Sequence, residues 1–207
     1  IRGPQIKMMW RELWGPLGFL LFLAFLINFA LANFEGIFGL YAARRFGYGP
    51  GDVGSIMTVI GLASALVQGL ATGPVTARFG EGRVIKVSLI ASAVGFVLML
   101  LAKDYITVML TVGLFVTANA MLRPAIASVT SKQTAGGQGM AMGLNNAYQS
   151  LGRTVGPLWA GFMFDINLSL PYLTAALILF GTYFASLRVA QQRLDPGVKE
   201  PVPASTD

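Results

Sequence analysis

Glu35, Arg123 and Arg153 are charged residues set deep in long apolar stretches of this chain, and amides gather near them: Asn28, Asn33, Gln68, Asn119, Asn145, Asn146 and Gln149. In water such residues are ordinary. In hydrocarbon an unpaired charge costs at least about 3 kcal/mol, so charges there mark a polar cavity, a proton relay or a path for charged solutes. Asn119 and Arg123 stand at i and i+4, as do Gln149 and Arg153, so each pair shares a helix face. Arg153 falls near the middle of its stretch, whereas Arg123 lies close enough to one end for its side chain to snorkel to the interface. Glu35 is the one carboxyl group inside an apolar stretch, hence the local candidate for a proton-linked site. Counted along the helices at about 1.5 Å per residue, Glu35 and Arg153 lie at similar depth. They pair, share a watery cavity, or find separate partners.

Composition excludes other chemistry. The 207 residues contain no cysteine and no histidine, which removes thiolate and imidazole metal ligands and both Ser-His and Cys-His catalysis. No metal, no cofactor and no enzymatic activity is expected.

The elements that must position these groups are helices in a membrane. The chain is 55% hydrophobic and 12% charged, with mean hydropathy +0.65. A soluble domain carries about 25% charged residues. A spanning helix needs about 20 mostly apolar residues, and six stretches qualify: 17–43, 53–77, 84–101, 106–130, 140–164 and 170–190. Glycine, proline and charge collect between them. Residues 1–14, with Lys7, Trp10, Arg11 and Trp14, read as a cytoplasmic amphipathic lead-in, 15–193 as the bundle, and 194–207 as a disordered cytoplasmic tail. The first residue is Ile1 rather than Met, and further sequence is expected upstream.

The net charge of +6 is loop charge; no basic run reaches the length of a nucleic-acid tract. With the N-terminus cytoplasmic, inside segments hold ten Lys or Arg and outside loops three, Arg44, Arg45 and Lys103. The positive-inside rule therefore puts both termini in the cytoplasm. Gly73-Pro74 closes the second stretch and Gly156-Pro157 falls late in the fifth, each the middle of a triple. Triples of odd number run in opposite directions, which is the arithmetic of a 3+3 inverted repeat.

The segment from Gly73 to Arg83 resembles the loop signature of major facilitator superfamily transporters, G-x-x-x-D-R-x-G-R-R. Gly73, Arg78, Gly80 and Arg83 match, Ala77 stands in place of the acid, and Glu81 and Gly82 replace basic positions. The fifth stretch, with Gly152-Arg153-Thr154-Val155-Gly156-Pro157, is similar to the eleventh helix of drug:proton antiporters in that superfamily. The resemblance covers nearly the whole chain. It implies an all-α membrane protein, the C-terminal six-helix half of a twelve-helix transporter whose N-terminal half lies upstream. It further implies alternating access in the cell membrane and proton-coupled efflux of a small amphipathic substrate. The expected cavity is lined by Asn28, Asn33, Glu35, Phe38, Gln68, Asn119, Asn145, Tyr148, Gln149 and Arg153. The third and sixth helices, which carry no amide, face lipid. Gly73, Arg78, Gly80 and Arg83 form a gate; Gly152, Gly156 and Pro157 pack helices. Three other readings stand beside this one: a lipid or lysolipid flippase on the same fold, a six-helix unit that dimerises, and a non-transporting membrane scaffold.

Overall fold

The computed structural model describes residues 17–132 and 138–188, and among these every regular element is a helix. In order they are α1 Gly18–Phe46, α2 Pro50–Leu66, α3 Thr72–Phe79, α4 Glu81–Leu101, α5 Tyr105–Lys132, α6 Gln138–Ile166 and α7 Leu170–Arg188. A π-helical turn, Val67–Ala71, joins α2 to α3, so Pro50–Phe79 is one continuous rod. The expected lead-in over 1–14 and tail over 194–207 lie outside the described residues.

Five segments are long and apolar enough to cross a membrane: Gly18–Phe46, Pro50–Phe79, Glu81–Leu101, Tyr105–Lys132 and Leu170–Leu187. The stretch at 140–164, the fifth of the six expected, forms a 29-residue helix, α6, but is not among them. Asn145, Asn146, Gln149 and Arg153 make it too polar for composition alone to mark it as a span.

Local chemistry sets the helix ends. Pro50 occupies the first turn of α2, where its missing N–H costs nothing, and the Gly49 amide donates to Asp52 Oδ2 at 3.0 Å. At the start of α5 the Asp104 amide donates to Thr107 Oγ1 (3.1 Å), and the Thr107 amide donates to Asp104 Oδ1 (2.9 Å). Gly80 divides α3 from α4 at φ +79°, a conformation that a Cβ would strain.

Burial is uneven. α1 is the most enclosed helix and the Pro50–Phe79 rod the least. The core holds an aromatic cluster of Phe34, Phe38 and Tyr41 from α1, Phe96 from α4, Phe115 from α5 and Tyr172 from α7. The Phe96 and Phe115 rings lie 4.0 Å apart between centroids, and Tyr41 meets Tyr172 edge-on at 4.7 Å. α4 and α7 each bury one face. Their other faces expose Val87, Val94 and Leu101, and Leu173, Leu177 and Phe184.

Candidate functional site

α1 and α6 approach until their backbones nearly touch. A Cβ on Gly152 would lie 2.4 Å from the Phe25 carbonyl oxygen, and one on Gly156 would lie 2.7 Å from that of Phe29. Higher up, a Cβ on Gly36 would meet Pro157 Cβ at 3.0 Å. The Arg44 guanidinium sits over the Phe164 ring, 4.9 Å from its centroid. The residue numbers rise together along both helices, so α1 and α6 run parallel.

This packing brings Arg153 to α1. Its Nε donates to Asn28 Oδ1 at 3.3 Å, while Asn28 Nδ2 donates to the Ala24 carbonyl at 2.8 Å. Asn28 is thus oriented by its own helix and presents its oxygen to the guanidinium. Glu35 follows Asn28 by two turns on the same face and is exposed. Arg153 and Arg123 both act electrostatically on the Glu35 carboxylate, and each guanidinium acts on the other. No ion pair within 4.0 Å joins the three among the described residues. They form a loose cluster, one acid and two bases from α1, α5 and α6. Arg123, which the sequence accounts for by snorkelling alone, is therefore also part of this electrostatic group.

The remaining candidates divide between surface and interior. Gln149 is half-buried one turn before Arg153, and Gln68 is exposed in the π-helical turn. Asn33, Asn119 and Asn145 are enclosed within the bundle. Asn33 Nδ2 donates to the Pro171 carbonyl of α7 at 3.2 Å, whereas both amide atoms of Asn119 and of Asn145 are buried without a hydrogen-bond partner among the described residues. Tyr148 is buried. Phe38 lies in the aromatic core, 4.9 Å from Phe34 between centroids. The structure therefore leaves Glu35 and Arg153 exposed and Gln149 half-buried, and encloses Asn28, Asn33, Phe38, Asn119, Asn145 and Tyr148, Asn28 reaching Arg153 through its hydrogen bond.

A second polar group lies at the Gly80 turn. The Glu81 carboxylate accepts from Lys132 Nζ in an ion pair and from Ser128 Oγ at 3.0 Å, which staples the first turn of α4 to the last turn of α5. Glu81, one of the three residues that depart from the loop signature, thus has structural partners of its own. Arg78 and Arg83 are exposed on either side of it, with the Arg78 guanidinium 5.5 Å from the Phe79 ring centroid. Gly73 lies in open space.

The sequence profile of the Major Facilitator Superfamily matches residues 20–206. Two relatives from Bacillus subtilis, multidrug resistance protein 2 and multidrug resistance protein 1, are 31% and 33% identical over 165 and 175 residues, covering 79% and 84% of this chain. Quinolone resistance protein NorA of Staphylococcus aureus is 33% identical over 181 residues, 86% of the chain. These alignments cover 41%, 45% and 46% of the relatives, so the chain spans less than half of their length. A crystal structure of the human organic anion transporter MFSD10 superposes with a TM-score of 0.74 at 24% identity, over 82% of this chain and 40% of that one. Membrane-length helices, the glycine-packed α1–α6 pair and a profile that runs through nearly every residue point the same way: the chain belongs to the Major Facilitator Superfamily.

Proposed function

We propose that this chain is half of a secondary transporter that exports amphipathic organic compounds by alternating access, coupled to protons. The observation that carries the reading is the loose charge cluster of Glu35, Arg123 and Arg153 on the open side of α1, α5 and α6, in a chain related to multidrug resistance proteins. In this reading the Glu35 carboxylate, which no tight ion pair locks among the described residues, takes up and releases the coupled proton as the cavity changes sides or a substrate arrives. In this reading six helices cross the cell membrane as a 3+3 inverted repeat with both termini cytoplasmic. Another six-helix half completes the cavity. Arg78, Gly80 and Arg83 form the turn that gates the cytoplasmic end.

The test is efflux of one cationic and one neutral amphipathic dye from proteoliposomes holding the full-length protein, with and without an imposed pH gradient. Glu35→Gln is expected to abolish the dependence on the gradient, and to impair the cationic dye more than the neutral one. If Glu35 instead serves only to balance Arg153, Glu35→Gln lowers thermal stability and transport of both dyes alike, and adding Arg153→Gln restores part of both. Wild-type efflux of both dyes with unchanged pH dependence in Glu35→Gln defeats the assignment of Glu35 to coupling.

A further inference from the structure

Two apolar cavities adjoin along the outer side of α4. One, of about 320 Å³, is bounded by Val75, Phe79, Arg83 and Val84; the other, of about 550 Å³, lies between the Pro50–Phe79 rod, α4 and α5. Both are lined by Val87, Ser88 and Met121, so they form one trough. From Arg83 to Ala91 the trough follows eight residues of α4, about 12 Å at about 1.5 Å per residue. One leaflet of hydrocarbon is about 15 Å deep, half of the core of about 30 Å. The trough thus runs from one end of the helices to about the depth where an acyl chain ends.

Charge at its mouth is one-sided. Arg78, Arg83 and Lys86 stand within nine positions of one another, and the acid among them, Glu81, is held by Lys132 and Ser128. Arg83 lines the trough and has no ion-pair partner among the described residues. Phe79 lines the same mouth beneath the Arg78 guanidinium. An apolar channel of leaflet length that ends on an uncompensated guanidinium matches one ligand chemistry, a phosphate on an acyl chain.

We propose that this trough binds an anionic phospholipid, with its phosphate on Arg83 and an acyl chain along Val87, Ala91 and Met121. The site needs only that these helices cross a bilayer; it does not depend on transport.

Native mass spectrometry tests it on the full-length protein released from nanodiscs of equal phosphatidylglycerol and phosphatidylcholine with identical chains. Phosphatidylglycerol is expected to be retained preferentially. Arg83→Gln should lower that preference about fivefold, the equivalent of about 1 kcal/mol for one basic residue, and Arg83→Lys should keep most of it. Ala91→Phe should reduce retention of both lipids by filling the trough, whereas Arg45→Gln, in the last turn of α1 at the opposite end of the bundle, should change neither. Equal retention of the two lipids by the unaltered protein, or an undiminished preference in Arg83→Gln, overturns the proposal. So does unchanged lipid retention in Ala91→Phe accompanied by lower thermal stability, which would mean that protein fills the trough. Because no transport is measured, failure here and failure of the efflux reading remain separate results.

Discussion

Replacing Gly152 with alanine tests whether the α1–α6 crossing sets the geometry of the charge cluster. The added Cβ would lie 2.4 Å from the Phe25 carbonyl oxygen and 2.8 Å from the Phe29 amide nitrogen, while ordinary contact begins at 3.4 Å. Both obstacles are backbone, so no side chain can swing aside, and the helices must separate by about 1 Å (3.4 less 2.4). Overpacking of this kind costs about 1–3 kcal/mol. For a chain of this size that lowers the melting temperature by roughly 5 °C. The same separation stretches the Arg153–Asn28 hydrogen bond from 3.3 Å past the length at which such bonds hold. Gly161, on the same helix, has nothing within 4 Å of its virtual Cβ. Gly161→Ala should therefore be neutral, or stabilising by up to about 1 kcal/mol through helix propensity. Thermal unfolding in detergent, followed by tryptophan fluorescence, compares the two. If Gly152→Ala melts at or above the temperature of Gly161→Ala, the backbone-contact argument is wrong.

Gly80→Ala should destabilise by about 1–3 kcal/mol because φ +79° with ψ 150° lies in a region open essentially to glycine alone, and chemical denaturation reads it directly. Glu81→Gln should cost no more than about 1 kcal/mol, since Lys132 is largely exposed, but should speed hydrogen exchange of the amides at 128–132; the swap Glu81→Lys with Lys132→Glu should slow it again. Phe115→Ala empties the space beside Phe34 and Phe96 and should cost about 3–5 kcal/mol, seen as loss of the folded peak in size-exclusion chromatography at moderate temperature. Trp159→Phe removes the bond from Trp159 Nε1 to Thr174 Oγ1 and should cost about 1 kcal/mol in the same unfolding assay.

Hydropathy located the helices well because each is apolar over the length of a bilayer: the stretch 106–130 lies within Tyr105–Lys132, and 53–77 within the rod Pro50–Phe79. α6 shows the limit of that signal, since its polar residues dilute its hydropathy although its backbone is continuous. The site was legible only in part. Periodicity tells which residues share a face but not what that face meets, so Asn119 and Asn145 read as cavity lining although both are enclosed. Arg123 has an account at its own helix end, and only the placement of α5 beside α1 couples it to Glu35. The partnership of Glu81 with Lys132 joins residues 51 positions apart, and nothing local announces it. The π-helical turn has no residue signature at Val67–Ala71.

That turn has a consequence for direction. An α-helix advances about 100° per residue, and a π turn admits one residue more than the α-helical ladder would hold. Everything beyond Ala71 is therefore rotated about the rod axis relative to an uninterrupted helix. Returning Val67–Ala71 to regular α-helical winding without changing its length would swing the terminal helix Thr72–Phe79 by about 100°. Arg78 and Phe79 would then leave the mouth of the trough, while Pro50–Leu66 kept its place. The bearing of Thr72–Phe79 is thus set by the wide winding of a five-residue turn, so a change that straightens Val67–Ala71 at constant length turns that helix, whereas deleting the one extra residue leaves it facing as before.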